Sequence, residues 1–317
     1  MIEEVNIEKL LSNDRRSVAR AISIVEKGDS ESSELFKSIY SNIGKAYRIG
    51  ITGPPGAGKS TITNQLTKYL LNEGKTIGII AVDPTSPFTG GALLGDRVRM
   101  TDIGQRSDVF IRSMATRGSL GGLSKKAVDA ADVLDAAGYE YIILETVGVG
   151  QSELDIAQAA DTTMVVLVPE SGDSVQAMKA GLMEIADFFI LNKCDRPGSQ
   201  QAAGALKTIL GMRDHNESTW MPNIIRSIAT ENKGISEIND EINKHKEYLL
   251  KTKKFYTNRE KRMKSRIKEI VEEKLRKELW SETRENSLNL SLEKTINGSL
   301  SPYHIAEEIL ENFKKQI

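Results

Sequence analysis

The 317 residues carry 43 basic against 44 acidic side chains, a formal charge of −1, so no global field draws the chain to nucleic acid or to an anionic membrane, and neither is an expected partner. The lone cysteine, Cys194, excludes an internal disulfide and a cysteine-rich metal site; with no export or organelle signal in MIEEVNIEKLL, the expected location is the cytoplasm. Apolar runs at 77–82 and 164–168 have the length of strands and fall far short of a bilayer span.

From Val5 to Tyr47 apolar residues recur at helical spacing on both sides of a polar break at 28–33, which predicts two helices ahead of the main domain. Seven short apolar strand candidates then alternate with helical patterns, at 48–52, 76–82, 108–111, 141–144, 163–168, 188–191 and 223–226. Such alternation predicts an α/β fold, a mostly parallel sheet flanked by helices, with ligands at the carboxyl ends of the strands. After about Ile242 strand signals stop and the tail reads as helix. There Met263, Ile267, Ile270, Val271, Leu275 and Leu279 form an apolar stripe on a charged background, which needs a covering surface. The tail from Lys244 to Trp280 is rich in lysine and arginine, but no aromatic interleaving or nucleic-acid module accompanies them.

The first strand runs into Gly53-Pro54-Pro55-Gly56-Ala57-Gly58-Lys59-Ser60-Thr61, which matches the Walker A pattern at every fixed position and opens a helical stretch. The glycines let successive backbone N–H groups and the helix N-terminus face phosphates, Lys59 supplies a point charge, and the Ser60 hydroxyl suits magnesium. A P-loop nucleotide-binding domain is therefore expected. The strand 141–144 ends in Glu145, with Gly148 three residues on; a carboxylate there orients magnesium or its water, and the Gly148 N–H is placed to sense a γ-phosphate. Val149 follows, where small GTPases carry a water-orienting glutamine, so slow intrinsic hydrolysis is expected. Asp83 closes another apolar strand and Asp96 ends the glycine-bearing loop after it, which makes both candidate magnesium ligands beside Ser60 and Glu145. Arg97, Arg99, Arg112 and Arg117 gather in the same stretch, either as surface ion-pair formers or with one of them stabilising transition-state charge.

The strand 188–191 leads into Asn192-Lys193-Cys194-Asp195, the N-K-x-D pattern of guanine-nucleotide sites. The Asp195 carboxylate accepts from guanine N1 and N2, donors that adenine lacks there, and the wrong base leaves a charge unsatisfied. In Ser227-Ile228-Ala229-Thr230, Ile228 stands at the usual serine position of the loop that reads guanine O6, so the expected contribution of 228–230 is through backbone.

The runs Val82-Asp83-Pro84-Thr85-Ser86-Pro87-Phe88-Thr89-Gly90-Gly91, Leu94-Gly95-Asp96-Arg97, Phe110-Ile111-Arg112-Ser113-Met114-Ala115-Thr116-Arg117-Gly118 and Glu145-Thr146-Val147-Gly148-Val149-Gly150-Gln151 resemble the MeaB/ArgK family of methylmalonyl-CoA mutase-associated GTPases. The likeness extends from the N-terminal helices to Ser301-Pro302-Tyr303. It implies a GTPase chaperone, using GTP/GDP and magnesium, that gates cofactor loading and protects or reactivates an adenosylcobalamin-dependent acyl-CoA mutase, with cobalamin met only through that partner. It also implies a homodimer through the C-terminal helices, and a mobile segment near 170–179 from which Lys179 reaches the nucleotide, a solvated helix lysine being the alternative. Domains are accordingly expected at 1–46 (helical extension), 47–242 (P-loop GTPase) and 243–317 (helical dimerisation region), with Lys59, Asp96, Glu145 and Lys179 as catalytic candidates. Two rival readings are an ArgK-type kinase or ATPase of arginine and ornithine transport, and a metal-insertion GTPase. His215, His245 and His304 lie in no ligand spacing, which disfavours the second.

Overall fold

Seven strands form one all-parallel sheet: β1 Tyr47–Thr52, β2 Ile77–Pro84, β3 Val109–Thr116, β4 Tyr141–Thr146, β5 Thr162–Leu167, β6 Phe188–Leu191 and β7 Ile224–Arg226. Their spatial order is β3-β2-β4-β1-β5-β6-β7. The computed structural model describes residues 5–28, 30–84, 101–116, 125–146, 152–169, 180–212, 216 and 219–315. All residues of β4 and β5 are buried, as a parallel sheet covered on both faces requires.

Alternate strand residues feed opposite faces. Ile80, Val82, Ile142 and Leu144 pack under α2 (Arg15–Lys27), α3 (Ser30–Ile39) and α6 (Lys125–Ala136). On the other face Ile49, Ile51, Ile79, Ile143 and Val166 lie with Ile62 and Leu66 of α4 (Lys59–Asn72) and Ile238 and Ile242 of α10 (Ile235–Lys251). A third cluster joins Val165, Leu167, Phe189 and Leu191 to α8 (Ala180–Ile185) and α9 (Ser199–Gly211). The remaining short helices of this body are α1 (Ile7–Leu11), α5 (Thr101–Gly104) and α7 (Ser152–Ala159).

The N-terminal region holds three helices where periodicity predicts two. Asn13 takes φ 63°, and Asp14 caps α2 by accepting from the N–H and hydroxyl of Ser17, which separates α1 from α2. The polar break after α2 is also shorter than expected. Gly28 ends that helix in the left-handed conformation, and α3 begins within the serine run at Ser30.

The chain divides into two compact units, Met1–Phe255 and Tyr256–Ile317. The second is helical, comprising most of α11 (Lys254–Leu279), α12 (Glu282–Ile296) and α13 (Pro302–Lys314). Within it the Arg284 guanidinium stands 4.9 Å from the Phe313 ring centre. The apolar stripe of α11 lies open, with Met263, Ile267, Val271 and Leu275 between 40% and 56% exposed. Among the described residues no helix is long and apolar enough to cross a membrane.

Candidate nucleotide site

The carboxyl end of β1 continues as a loop that curls back over the sheet before α4 begins at Lys59. Two positions in it admit only glycine. Gly53 has φ 134°, and a Cβ there would sit 2.2 Å from the Val166 carbonyl oxygen; Gly58 has φ 94°, and a Cβ would meet Asn192 Nδ2 at 2.3 Å. Glycine therefore provides both the left-handed turn and the close approach of loop to neighbouring strands. Lys59 is 6% exposed, and its Nζ donates to the carbonyls of Gly53 and Pro54 at 2.8 and 2.9 Å. The ammonium is thus drawn across the mouth of the loop, where phosphate oxygens compete for the same hydrogens.

Beside it, β4 ends at Glu145, 4% exposed, whose Oε1 accepts from the Ser60 hydroxyl at 2.6 Å. Parallel register sets Ala81 against Glu145, so the backbone of Asp83 lies two residues farther along β2 at the same sheet end. The side chain of Asp83 is outside the described residues, as are Asp96, Gly148, Val149, Lys179, Arg97, Arg99, Arg117 and the segment 170–179. A hydroxyl and a carboxylate at this separation are two hard oxygen donors of the kind magnesium takes, so the residues present fit that ion. Among the described residues no cluster of three or more histidine, cysteine or acidic side chains could hold a metal alone, so further ligands must come from nucleotide, water or residues outside that set. Arg112 is committed elsewhere: its guanidinium pairs with Glu26 and reaches Ser23 Oγ at 3.3 Å, both on α2.

The base side is organised by Asn192, buried at the end of β6. Its Nδ2 donates to the Ala57 carbonyl at 2.9 Å, and its Oδ1 accepts from the Ser227 hydroxyl and the Ala229 N–H, both at 3.1 Å. One amide thereby ties the phosphate loop to the segment after β7. Lys193, at φ 58°, extends to the Gly56 carbonyl at 2.8 Å, a second link across the same gap. Asp195 follows as an exposed carboxylate at the rim, open to a base. Ile228 pairs its N–H and carbonyl with Lys233, and a short 3-10 turn, Ala229–Glu231, begins at the next residue. The Ala229 N–H goes to Asn192, and Thr230 is the exposed residue of 228–230. Ser227 was not singled out by sequence reasoning; the signal for it was a hydroxyl one residue ahead of the expected serine position.

Residues 18–284 match the family described as methylmalonyl Co-A mutase-associated GTPase MeaB. The "Putative GTPase" of Pyrococcus abyssi is 45% identical over 98% of this chain and 96% of its own length. The GTPase ArgK of Escherichia coli is 38% identical over 74% of this chain and 72% of its own. The crystal structure of an LAO/AO transport system kinase superposes with a TM-score of 0.72 at 28% identity, covering 97% and 96% of the two chains. With a family match over most of the chain and a relative 38% identical over three quarters of it, this protein belongs to the MeaB/ArgK family of P-loop GTPases.

Proposed function

We propose that the chain is a GTP-hydrolysing chaperone of an adenosylcobalamin-dependent acyl-CoA mutase, which gates loading of the mutase cofactor and protects or restores the enzyme. The observation that carries this reading is the match of residues 18–284 to a mutase-associated GTPase family, supported by the buried Asn192 amide that ties Ala57 of the P-loop to Ser227 and Ala229. Methylmalonyl-CoA mutase is the client that this family match favours.

In this reading Asp195 selects guanine, and Asn192 passes the occupancy of the base pocket to the phosphate loop. Lys59 exchanges the Gly53 and Pro54 carbonyls for phosphate oxygens, and the loop N–H groups neutralise charge as water attacks the γ-phosphorus. Ser60 would hold magnesium, with Glu145 in reach, and the ion when bound would supply charge neutralisation at the phosphates. Asp83 and Asp96 are the further ligands we assign to it, and Lys179 the lysine that completes the stimulated state. The chain forms no covalent intermediate; its contribution is position and electrostatics. With Val149 after Gly148, hydrolysis is slow alone and rises when the partner orders the loops. The open stripe on α11 is covered by a second copy, and the cytoplasm is where client and nucleotide are met.

The likeness to a transport system kinase suggests a kinase reading, but the Asn192–Asp195 turn favours guanine, and a kinase needs an acceptor site as well. Capture from native extract by chain loaded with a non-hydrolysable GTP analogue tests the client. A cobalamin-dependent mutase should be retained; its absence in every nucleotide state would remove the chaperone reading and leave GTP hydrolysis intact.

A further inference from the structure

β1 and β4 are parallel neighbours whose register runs from Tyr47 against Tyr141 to Ile51 against Glu145. The last residues of the two strands, Thr52 and Thr146, follow directly after that register. Both are fully buried, and the Thr146 hydroxyl donates to the Thr52 hydroxyl at 3.0 Å. This bond lies on the sheet face away from α4. Gly50, two residues before Thr52, abuts Ile156 and Ala160, and Leu144, two residues before Thr146, packs in the same cluster as Ile156. Glu145 points to the other face, where Ser60 in the first turn of α4 reaches it at 2.6 Å. The exit of β4 is therefore tied to the phosphate loop twice, once on each face of the sheet. Thr146 bonds to the residue before Gly53, and Glu145 to the residue after Lys59.

A buried hydroxyl costs free energy unless it is hydrogen-bonded, whereas valine fills the same strand position without that cost. What the threonine pair adds over two valines is a directional link between the two strand ends. Backbone register continues on their outer sides, with Val82 against Thr146 and Val165 against Thr52, so the hydroxyl pair extends the join between the two central strands. A carboxylate that serves an ion must be held to within about 0.5 Å by the groups that support it. We propose that Thr146 is a positioning residue for GTP hydrolysis: through Thr52 it fixes the exit of β4, and with it the Glu145 carboxylate, relative to the phosphate loop. The proposal rests on the reading of Glu145 as the carboxylate that serves magnesium.

The test compares Thr146→Val, Thr146→Ser and the double variant Thr52→Val with Thr146→Val, all in the full chain and beside Glu145→Gln. The readouts are single-turnover GTP hydrolysis, GDP affinity with and without magnesium, and urea midpoints. Thr146→Val should hydrolyse GTP about tenfold more slowly and lose about threefold or more of the gain in GDP affinity that magnesium brings, with the magnesium-free affinity unchanged. Thr146→Ser, which keeps the hydroxyl, should restore both. The double variant strands no buried hydroxyl, so its urea midpoint should exceed that of Thr146→Val while hydrolysis stays slow. A bond that only stabilises the fold gives the opposite pattern, a rate that recovers with the midpoint, and that result would overturn the proposal. So would an unchanged rate and magnesium dependence in Thr146→Val while Glu145→Gln is slow. A Glu145→Gln variant that is itself unaffected would remove the underlying reading of Glu145, and the role of Thr146 with it.

Discussion

The Ser60 hydroxyl donates to Glu145 Oε1 across 2.6 Å, and so joins the first turn of α4 to the end of β4 inside the phosphate site. These two residues lie on different elements, and in the proposed site both serve one magnesium ion. Replacing Glu145 by Gln keeps the shape and a hydrogen-bond partner for Ser60 but removes the charge. Turnover of GTP should fall on the order of 10²-fold, with GDP affinity in the absence of magnesium changed little. Single-turnover hydrolysis and nucleotide titration with and without the ion check this, and an unchanged rate would detach Glu145 from catalysis.

In the proposed site, guanine selection rests on a carboxylate at the rim, Asp195. Asp195→Asn should lower GTP affinity at least about 10²-fold, because two hydrogen bonds to a charged acceptor are lost at roughly 1.5–3 kcal/mol each. Xanthine nucleotide, which presents a carbonyl where guanine has its amino group, should bind the variant better than GTP does. Competition titration with GTP, XTP and ATP reads this, and equal loss for all three bases would mean that Asp195 only supports the fold.

The amide of Asn192 ties Ala57 to Ser227 and Ala229, so damage at either end should register as the same loss. Gly58→Ala places a methyl against Asn192 Nδ2, and Asn192→Ala removes that group outright. Each variant should weaken GDP binding, and the double variant should lose less than the sum, with a coupling of at least about 0.5 kcal/mol. Full additivity would contradict the link. Gly53→Ala differs, because its new Cβ meets backbone at Val166 rather than a movable side chain; unfolding stability should drop by at least about 2 kcal/mol, read from denaturant midpoints.

Two hydrogen bonds cross the amino end of the sheet, Tyr47 to Thr162 at 2.5 Å and Thr162 to His245 Nδ1 at 2.8 Å, and His245 Nε2 stands 3.3 Å from the half-buried Asp187 carboxylate. Burial lowers His245 to about 4 and pushes Asp187 up to about 7. Between those values the folded pair holds one proton. The unfolded chain also holds one from about pH 4 to 6.5, on the imidazole, so the pair gives almost no slope of stability against pH there. Asp187→Asn removes the compensating carboxyl. The fold then keeps His245 neutral while the unfolded state gains a proton below pH 6.5. Relative to wild type, stability should fall by up to about 1.4 kcal/mol per pH unit as pH drops from 6.5 toward 4. Urea midpoints at pH 7.5 and 5 measure it, and parallel pH dependence in the two proteins would refute the assignment.

The open stripe of α11 predicts an oligomer. Ile267→Lys with Val271→Lys should convert a dimer to a monomer in sedimentation while unstimulated GTP hydrolysis stays the same. A wild type that is itself monomeric would leave the stripe to another partner.

Walker A, N-K-x-D and the seven strands were legible because each is written in consecutive residues, where local periodicity and turn chemistry suffice. The tripod on Asn192 was not. Its partners lie 35 to 135 residues away, and only the packing of β1, β6 and the segment after β7 brings them together. The same holds for Tyr47, Thr162, Asp187 and His245, four residues from separate segments with no shared motif. The helix break at Asn13 and Asp14 escaped for a different reason: a cap is a two-residue event inside a pattern averaged over many.

The central claim is a guanine-nucleotide switch that serves a mutase. Steady-state GTP hydrolysis by the purified chain, alone and with an adenosylcobalamin-dependent acyl-CoA mutase, tests it most directly, with Lys59→Ala as the control. The account predicts slow turnover alone, a clear rise with the mutase, and neither in the Lys59 variant. Turnover that is equal with and without every such mutase would contradict it.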